Sequence, residues 1–256
     1  MKKQVLSFFL FISFFYSFGQ IASQDDGRVR SGSNFGFIQG NHLPDSFLKS
    51  RRRTLKYEDI EGTPYIDNKQ ELKHDVPIGT LYSADFKFMN TLFLRYNAFT
   101  DNMELSLIDD GIGYQLLKKK TDAWYIVLGK NKYRAYEYYS DDKNIVGFFV
   151  IISENNRDRY SLFKKEKIVF QNKIIKKDGF LPSTPDQFKR AKDSYFLRYG
   201  EKMMKISRNK KDFFKLFHTK QNLLKEYIKT NKYKITNEKD LLAIITYYNS
   251  IIKWNL

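Results

Sequence analysis

From about residue 54 to residue 175 the chain is a succession of short runs that alternate apolar and polar side chains, each closed by turn-forming residues. A period of two prescribes strands with one covered face and excludes a helical bundle. Glu61-Gly-Thr-Pro-Tyr65 is a turn, and Thr80 to Phe88 alternates from Tyr82 onward, with Tyr82, Ala84, Phe86 and Phe88 on one face. Asn90-Thr91 reads as the next turn. Leu92 to Phe99 is a second strand, with Leu92, Leu94, Tyr96 and Ala98 on one side and Phe93 and Phe99 on the other. Asp101-Asn102 turns the chain into Met103–Ile108, which Asp109-Asp-Gly111 ends. Trp124–Leu128 and Lys132–Tyr139 flank Gly129-Lys-Asn131 as a hairpin, and Ile145 to Ile152 is apolar on both faces, the pattern of a central, covered strand. Tyr160–Phe163 and Lys167–Phe170 complete the series. No helical period lies between these runs, so parallel βαβ units are excluded. The expected architecture is an antiparallel sheet curled into a roll, sandwich or open barrel.

Phe180-Leu-Pro-Ser-Thr-Pro-Asp-Gln-Phe188 stops this pattern, and Asp186 or Thr184 is placed to cap a short helix over 187–192. A last hairpin turns at Gly200. Beyond it the period changes to that of helices. Phe213, Phe214, Leu216 and Phe217 mark one, and Leu223, Leu224, Tyr227 and Ile228 a second. Leu241, Leu242, Ile244, Ile245, Tyr248, Ile251 and Ile252 follow the spacing of one face of a third over Glu238 to Lys253, which Thr236 or Asn237 caps. The fold class is therefore α+β. A leader occupies 1–19 and a loosely ordered lead-in 20–53; an antiparallel β domain spans 54–206, and a cluster of about three short helices packs on it over 207–256.

Lys2 and Lys3 precede an apolar run from Val5 to Phe18, and Ser17 and Gly19 are the small residues of a cleavage site. This is the pattern of a secretory signal peptide cut after Gly19, and its run is shorter than the roughly 20 residues of a spanning helix. The chain has no cysteine. Disulfides, a thiolate metal site and a lipidated N-terminal cysteine are thereby excluded, so an apolar core must hold the fold. The longest apolar run after the leader, Ile145–Ile152, is too short to span, and no transmembrane segment is expected after cleavage.

Lysine and arginine number 45 against 29 acidic residues, a formal net charge of +16. Export redirects that charge from nucleic acid to anionic envelope material, either a surface or an acidic protein face. Part of it is compositional, because the lysines are spread along the chain. Arg51-Arg52-Arg53 reads as a solvated run.

Signals of catalysis are sparse. His42, His74 and His218 share no local spacing, so no metal site is expected; there is no G-x-S-x-G elbow and no phosphate-cradling glycine motif, so no cofactor is expected either. Asp109-Asp110-Gly111 lacks the remaining ligands of a calcium loop and reads as a turn. The most distinctive string is Leu94-Arg-Tyr-Asn-Ala-Phe-Thr-Asp-Asn-Met-Glu104. It sets Arg95, Asn97, Asp101 and Glu104 across one strand–turn–strand, where Arg95 can bridge Asp101 or Glu104 and Asn97 can bond the turn. This is a polar latch that fixes register. The alternative is that Asp101 and Glu104 form a glycosidase-like acid and base.

The leader ending Ser-Phe-Gly-Gln, the Arg95-Tyr-Asn-x-x-x-Asp-x-Met-Glu104 string and the tail from Lys210-Lys-Asp-Phe-Phe-Lys-Leu-Phe217 to Tyr247-Tyr-Asn249 resemble exported, uncharacterised proteins of Bacteroidetes, flavobacteria in particular. The resemblance covers about 60–250 and implies a periplasmic or secreted protein, with no activity to carry over. The leading expectation is a non-enzymatic periplasmic protein that binds an envelope protein or an anionic envelope component. An envelope hydrolase using carboxylates, and an open barrel carrying an apolar ligand or lipid, are the alternatives. Oligomeric state has no signature in the sequence.

Overall fold

The computed structural model describes residues 48–49, 60–66, 78–106, 114–121, 123–174 and 184–252. The expectations placed on the leader, on the lead-in apart from Leu48–Lys49, on Arg51–Arg53, His42, His74 and Asp109–Gly111, and on Pro182 lie outside these residues. The described chain is a mainly antiparallel sheet followed by three helices, so the α+β class holds.

The strands are β1 (Leu48–Lys49), β2 (Ile78–Ser83), β3 (Phe88–Asn97), β4 (Asn102–Ser106), β5 (Gln115–Leu117), β6 (Trp124–Leu128), β7 (Asn131–Ser140), β8 (Lys143–Ser153), β9 (Ser161–Lys165), β10 (Ile168–Gln171), β11 (Gln187–Arg190), β12 (Ser194–Tyr199) and β13 (Lys202–Lys205). Eleven of them form one open sheet in the order β1-β5-β4-β3-β2-β6-β7-β8-β9-β12-β13, and β10 and β11 form a separate hairpin. All named strand pairs are antiparallel. The far edge curls back until β13 approaches β7.

Strand β8 lies between β7 and β9, and its middle, residues 147–150, is covered on both sides as the apolar run requires, whereas Ile145 at its start is exposed. Phe148 and Val150 enter a core shared with Leu94, Tyr96, Trp124 and Tyr133. Phe149 enters a smaller core on the opposite face with Tyr136, Phe163, Phe196 and Met203. The β10–β11 hairpin closes the first core with Ile168 and Phe188. The turn between β7 and β8 has Asp141 at φ 50° and Asp142 at φ 60°, two successive left-handed residues whose twist matches the flanking strands.

Helices α1 (Lys210–Phe214), α2 (Gln221–Thr230) and α3 (Glu238–Ile251) form a third core. Asn209 and Asn237 cap α1 and α3 by accepting from the backbone N–H of Lys211 and Asp240. Leu241, Ile244, Ile245 and Tyr248 of α3 pack towards Leu162 and Leu197 of the sheet.

Two local expectations are corrected. The alternation through Phe88 is broken by a turn over Ala84–Lys87, while Asn90 and Thr91 lie within β3. The Ser83 hydroxyl bonds Asp85 and accepts from Lys87 N at 3.1 Å, and Ser83 N–H donates to Lys87 O at 2.9 Å. Those local bonds outweigh the side-chain period. The segment expected as a helix over 187–192 contains β11, because Phe188 reaches the first core when its backbone pairs with Phe170.

Candidate functional site

Antiparallel register sets Arg95 opposite Glu104 and Asn97 opposite Asn102. Glu104 accepts from Arg95 Nε at 2.8 Å, Asn97 Nδ2 at 3.0 Å and the Tyr65 hydroxyl at 3.2 Å. Asn97 Oδ1 accepts from Thr100 N–H at 3.0 Å and so ties the pair to its turn. The Arg95 guanidinium also lies 3.5 Å from the Tyr114 ring centroid, which covers its apolar faces. Three of the four residues singled out in the sequence, Arg95, Asn97 and Glu104, thus meet.

Asp101 is directed elsewhere. It has φ 56°, and its carboxylate accepts from Tyr96 OH at 2.7 Å, Lys165 Nζ at 2.6 Å, Lys119 Nζ at 3.0 Å and the Phe148 N–H at 3.2 Å. Burial pushes the Lys165 ammonium down to about 8, against the opposing pull of Asp101. Asp101 and Glu104 therefore belong to two separate polar clusters, each engaged with several donors.

A different constellation surrounds an open cavity of about 700 Å³. Alternation along β7 places Lys132, Arg134 and Tyr136 on one face, and the β6–β7 register brings Tyr125 to the same face. The β8–β9 connection supplies Glu154 and Arg157, β12 supplies Arg198, and the β2–β3 turn supplies Phe86. Four cations, Lys132, Arg134, Arg157 and Arg198, thus line a cavity whose lining holds one carboxylate, Glu154.

Glu154 fixes one of the two inner arginines, Arg134. It accepts from Arg134 Nη1 at 3.1 Å, from Tyr136 OH at 2.6 Å and from Tyr125 OH at 3.0 Å. Arg134 Nη1 also donates to the Tyr125 hydroxyl. Arg198 Nε donates to Gly200 O at 3.1 Å, whereas its Nη1 lies 3.9 Å from Glu154, has no hydrogen-bond partner among the described residues and is buried. Arg157 sits on the rim and pairs with Glu201. The Lys132 ammonium lies 3.5 Å from the Phe86 ring centroid and 4.1 Å from that of Tyr125, and burial lowers its pKa. Burial also raises the Tyr136 phenol, assisted by Glu154. At neutral pH the cluster is a hydrogen-bond donor array with excess positive charge, suited to binding an anion.

A second cavity of about 810 Å³ contains Glu166, Arg190 and Asp193. Arg190 bonds Glu166 at 3.2 Å and Asp193 at 2.6 Å, and Tyr133 OH donates to Glu166 at 2.7 Å. Arg190 thereby binds both carboxylates.

The arginine cavity was not singled out in the sequence, because its residues come from five separated segments. The available signal was the alternation of Lys132, Arg134 and Tyr136 facing Tyr125 across a hairpin. Among the described residues, no group of three or more potential histidine, cysteine or carboxylate ligands could hold a metal ion. No helix there is long and apolar enough to cross a membrane. Compared with protein-family models, curated proteins and solved structures, the chain matches none.

Proposed function

We propose that this is an exported, non-catalytic binding protein of the bacterial envelope, periplasmic in the first instance, whose partner is an anionic envelope component. The observation that carries the reading is the imbalance at the arginine cavity, where four cations line a space with one carboxylate. A fixed guanidinium array favours carboxylate or phosphate oxygens over neutral groups. The leader pattern and the resemblance to exported Bacteroidetes proteins support the compartment.

The alternatives have less support. Asp101 and Glu104 are occupied by structural donors in different clusters, which leaves a carboxylate hydrolase without its pair. The aromatic residues that would line an apolar carrier are packed on one another, with Tyr96, Tyr133, Phe148 and Phe149 each at most 1 % exposed.

The test is retention of purified protein on immobilised polygalacturonate and on neutral dextran, at low and high salt. Retention on the acidic matrix alone, weakened by salt, is expected. The double variant Lys132→Glu/Arg157→Glu reverses the charge beside Phe86 and the one on the rim of the cavity, and should elute with the unretained fraction. Equal behaviour of variant and parent, or equal retention on dextran, rejects the reading.

A further inference from the structure

The ligand class follows from Phe86, and this step rests on the reading of the arginine cavity as an anion site. Phe86 occupies the left-handed region at φ 60°, where a side chain with a Cβ is disfavoured and glycine or asparagine is the usual choice. The turn does not depend on the ring. Phe86 N–H donates to Ser83 O at 3.0 Å, Lys87 N–H donates to Ser83 Oγ at 3.1 Å, and Asp85 pairs with Lys87 at 2.8 Å. A strained aromatic that the turn does not require invites a role for its ring.

That ring lies on Tyr125, with centroids 4.1 Å apart and planes at 19°. Lys132 is close to both centroids, which places its ammonium on the side of Phe86 that Tyr125 covers. Phe86 is nevertheless 51 % exposed and lines the cavity, so stacking on Tyr125 leaves part of it open to a ligand. The cavity therefore combines an aromatic platform with cations and with Arg198 Nη1, which is buried without a hydrogen-bond partner among the described residues. An apolar ring face beside an anionic oxygen would satisfy both features.

We infer that the cavity binds a pyranose sugar bearing an acidic substituent, with the C–H face of the ring on Phe86 and the anionic oxygens drawn to the cations of the cavity, Arg198 foremost. A simple anion engages the cations alone, and a neutral sugar engages the platform alone. Neither uses the whole site.

The experiment is titration calorimetry with a digalacturonate, glucose 6-phosphate, a neutral disaccharide and inorganic phosphate, on the parent, Phe86→Ala and Lys132→Glu/Arg157→Glu. Circular dichroism verifies that each variant is folded. At least one acidic sugar should bind tighter than both phosphate and the neutral disaccharide. Phe86→Ala should weaken acidic-sugar binding by about tenfold, equivalent to about 1.4 kcal/mol, and leave phosphate within about twofold. Preference between digalacturonate and glucose 6-phosphate identifies the source as a uronate polymer or a phosphorylated sugar. If anions bind in a manner abolished by the double charge reversal but insensitive to Phe86→Ala, the sugar assignment fails and the anion reading stands. If no anion binds the parent, both fail.

Discussion

Gly147 shows how one missing side chain permits a buried ion cluster. A Cβ there would lie 2.5 Å from Lys165 Nζ, 2.7 Å from Asp101 Oδ2 and 2.9 Å from Tyr138 Cε1. Lys165 and Asp101 can meet over β8 only because the position is glycine. Gly147→Ala should therefore displace the pair and lower stability by about 2–4 kcal/mol, measured by denaturant unfolding, and a change below about 0.5 kcal/mol would contradict this account. At this scale the sequence was informative about proximity and silent about direction. The spacing of Arg95, Asn97 and Glu104 predicts a cross-strand cluster, whereas the left-handed backbone at Asp101 sends its carboxylate to Lys119 and Lys165. Those lysines are 18 and 64 residues from Asp101, beyond the reach of local pattern.

Between elements, the attachment of α3 to the sheet depends on Asn249. Its Oδ1 accepts from Tyr160 N–H at 3.0 Å and its Nδ2 donates to Tyr160 O at 2.8 Å. One amide thus satisfies both backbone groups at the entrance to β9. Asn249→Leu keeps similar volume but removes both bonds, and should cost about 2–3 kcal/mol; thermal unfolding that matches the parent would show that the clamp is dispensable. Most elements were legible because their period was strong. The β6–β7 hairpin, the doubly covered β8 and the capped α3 all follow from residue order. The β2–β3 turn and β11 did not, since alternation through Phe88 concealed the Ser83–Asp85 turn and a short polar segment after prolines resembles a helix start. What decided both was hydrogen bonding and a distant core. The arginine cavity was hidden for the same reason, being assembled by the curl of the sheet from segments that have no common motif.

For the molecule as a whole, burial of titratable groups sets a pH window. Lys165 titrates near 8 in the fold and at its ordinary value of 10.5 when unfolded. Between these values the unfolded chain binds more protons, so stability rises with pH by about 2 kcal/mol from pH 8 to pH 10. Buried and half-buried tyrosines act in the opposite sense. Tyr138 and Tyr195 are pushed up to about 12, and Tyr96, Tyr133, Tyr136 and Tyr160 are raised as well. Their contribution is intact below pH 10 and is lost above it, as the unfolded phenols ionise first. Urea unfolding across pH 7–12 should show a rise and then a steep fall, and Lys165→Met should flatten only the rise. A rise that persists in Lys165→Met would remove Lys165 as its source.

The order of the sheet also bears on how the chain reaches this state. Strands β2 to β5, and likewise β6 to β9, pair with their immediate successors in sequence. Each of these meanders can zip up through short loop closures, which are fast. Among the described strands the two are joined in the sheet at β2 and β6, where Leu81 pairs with Ile126. That junction encloses the whole first meander, so its closure carries the larger entropic cost and is the natural place for the folding barrier.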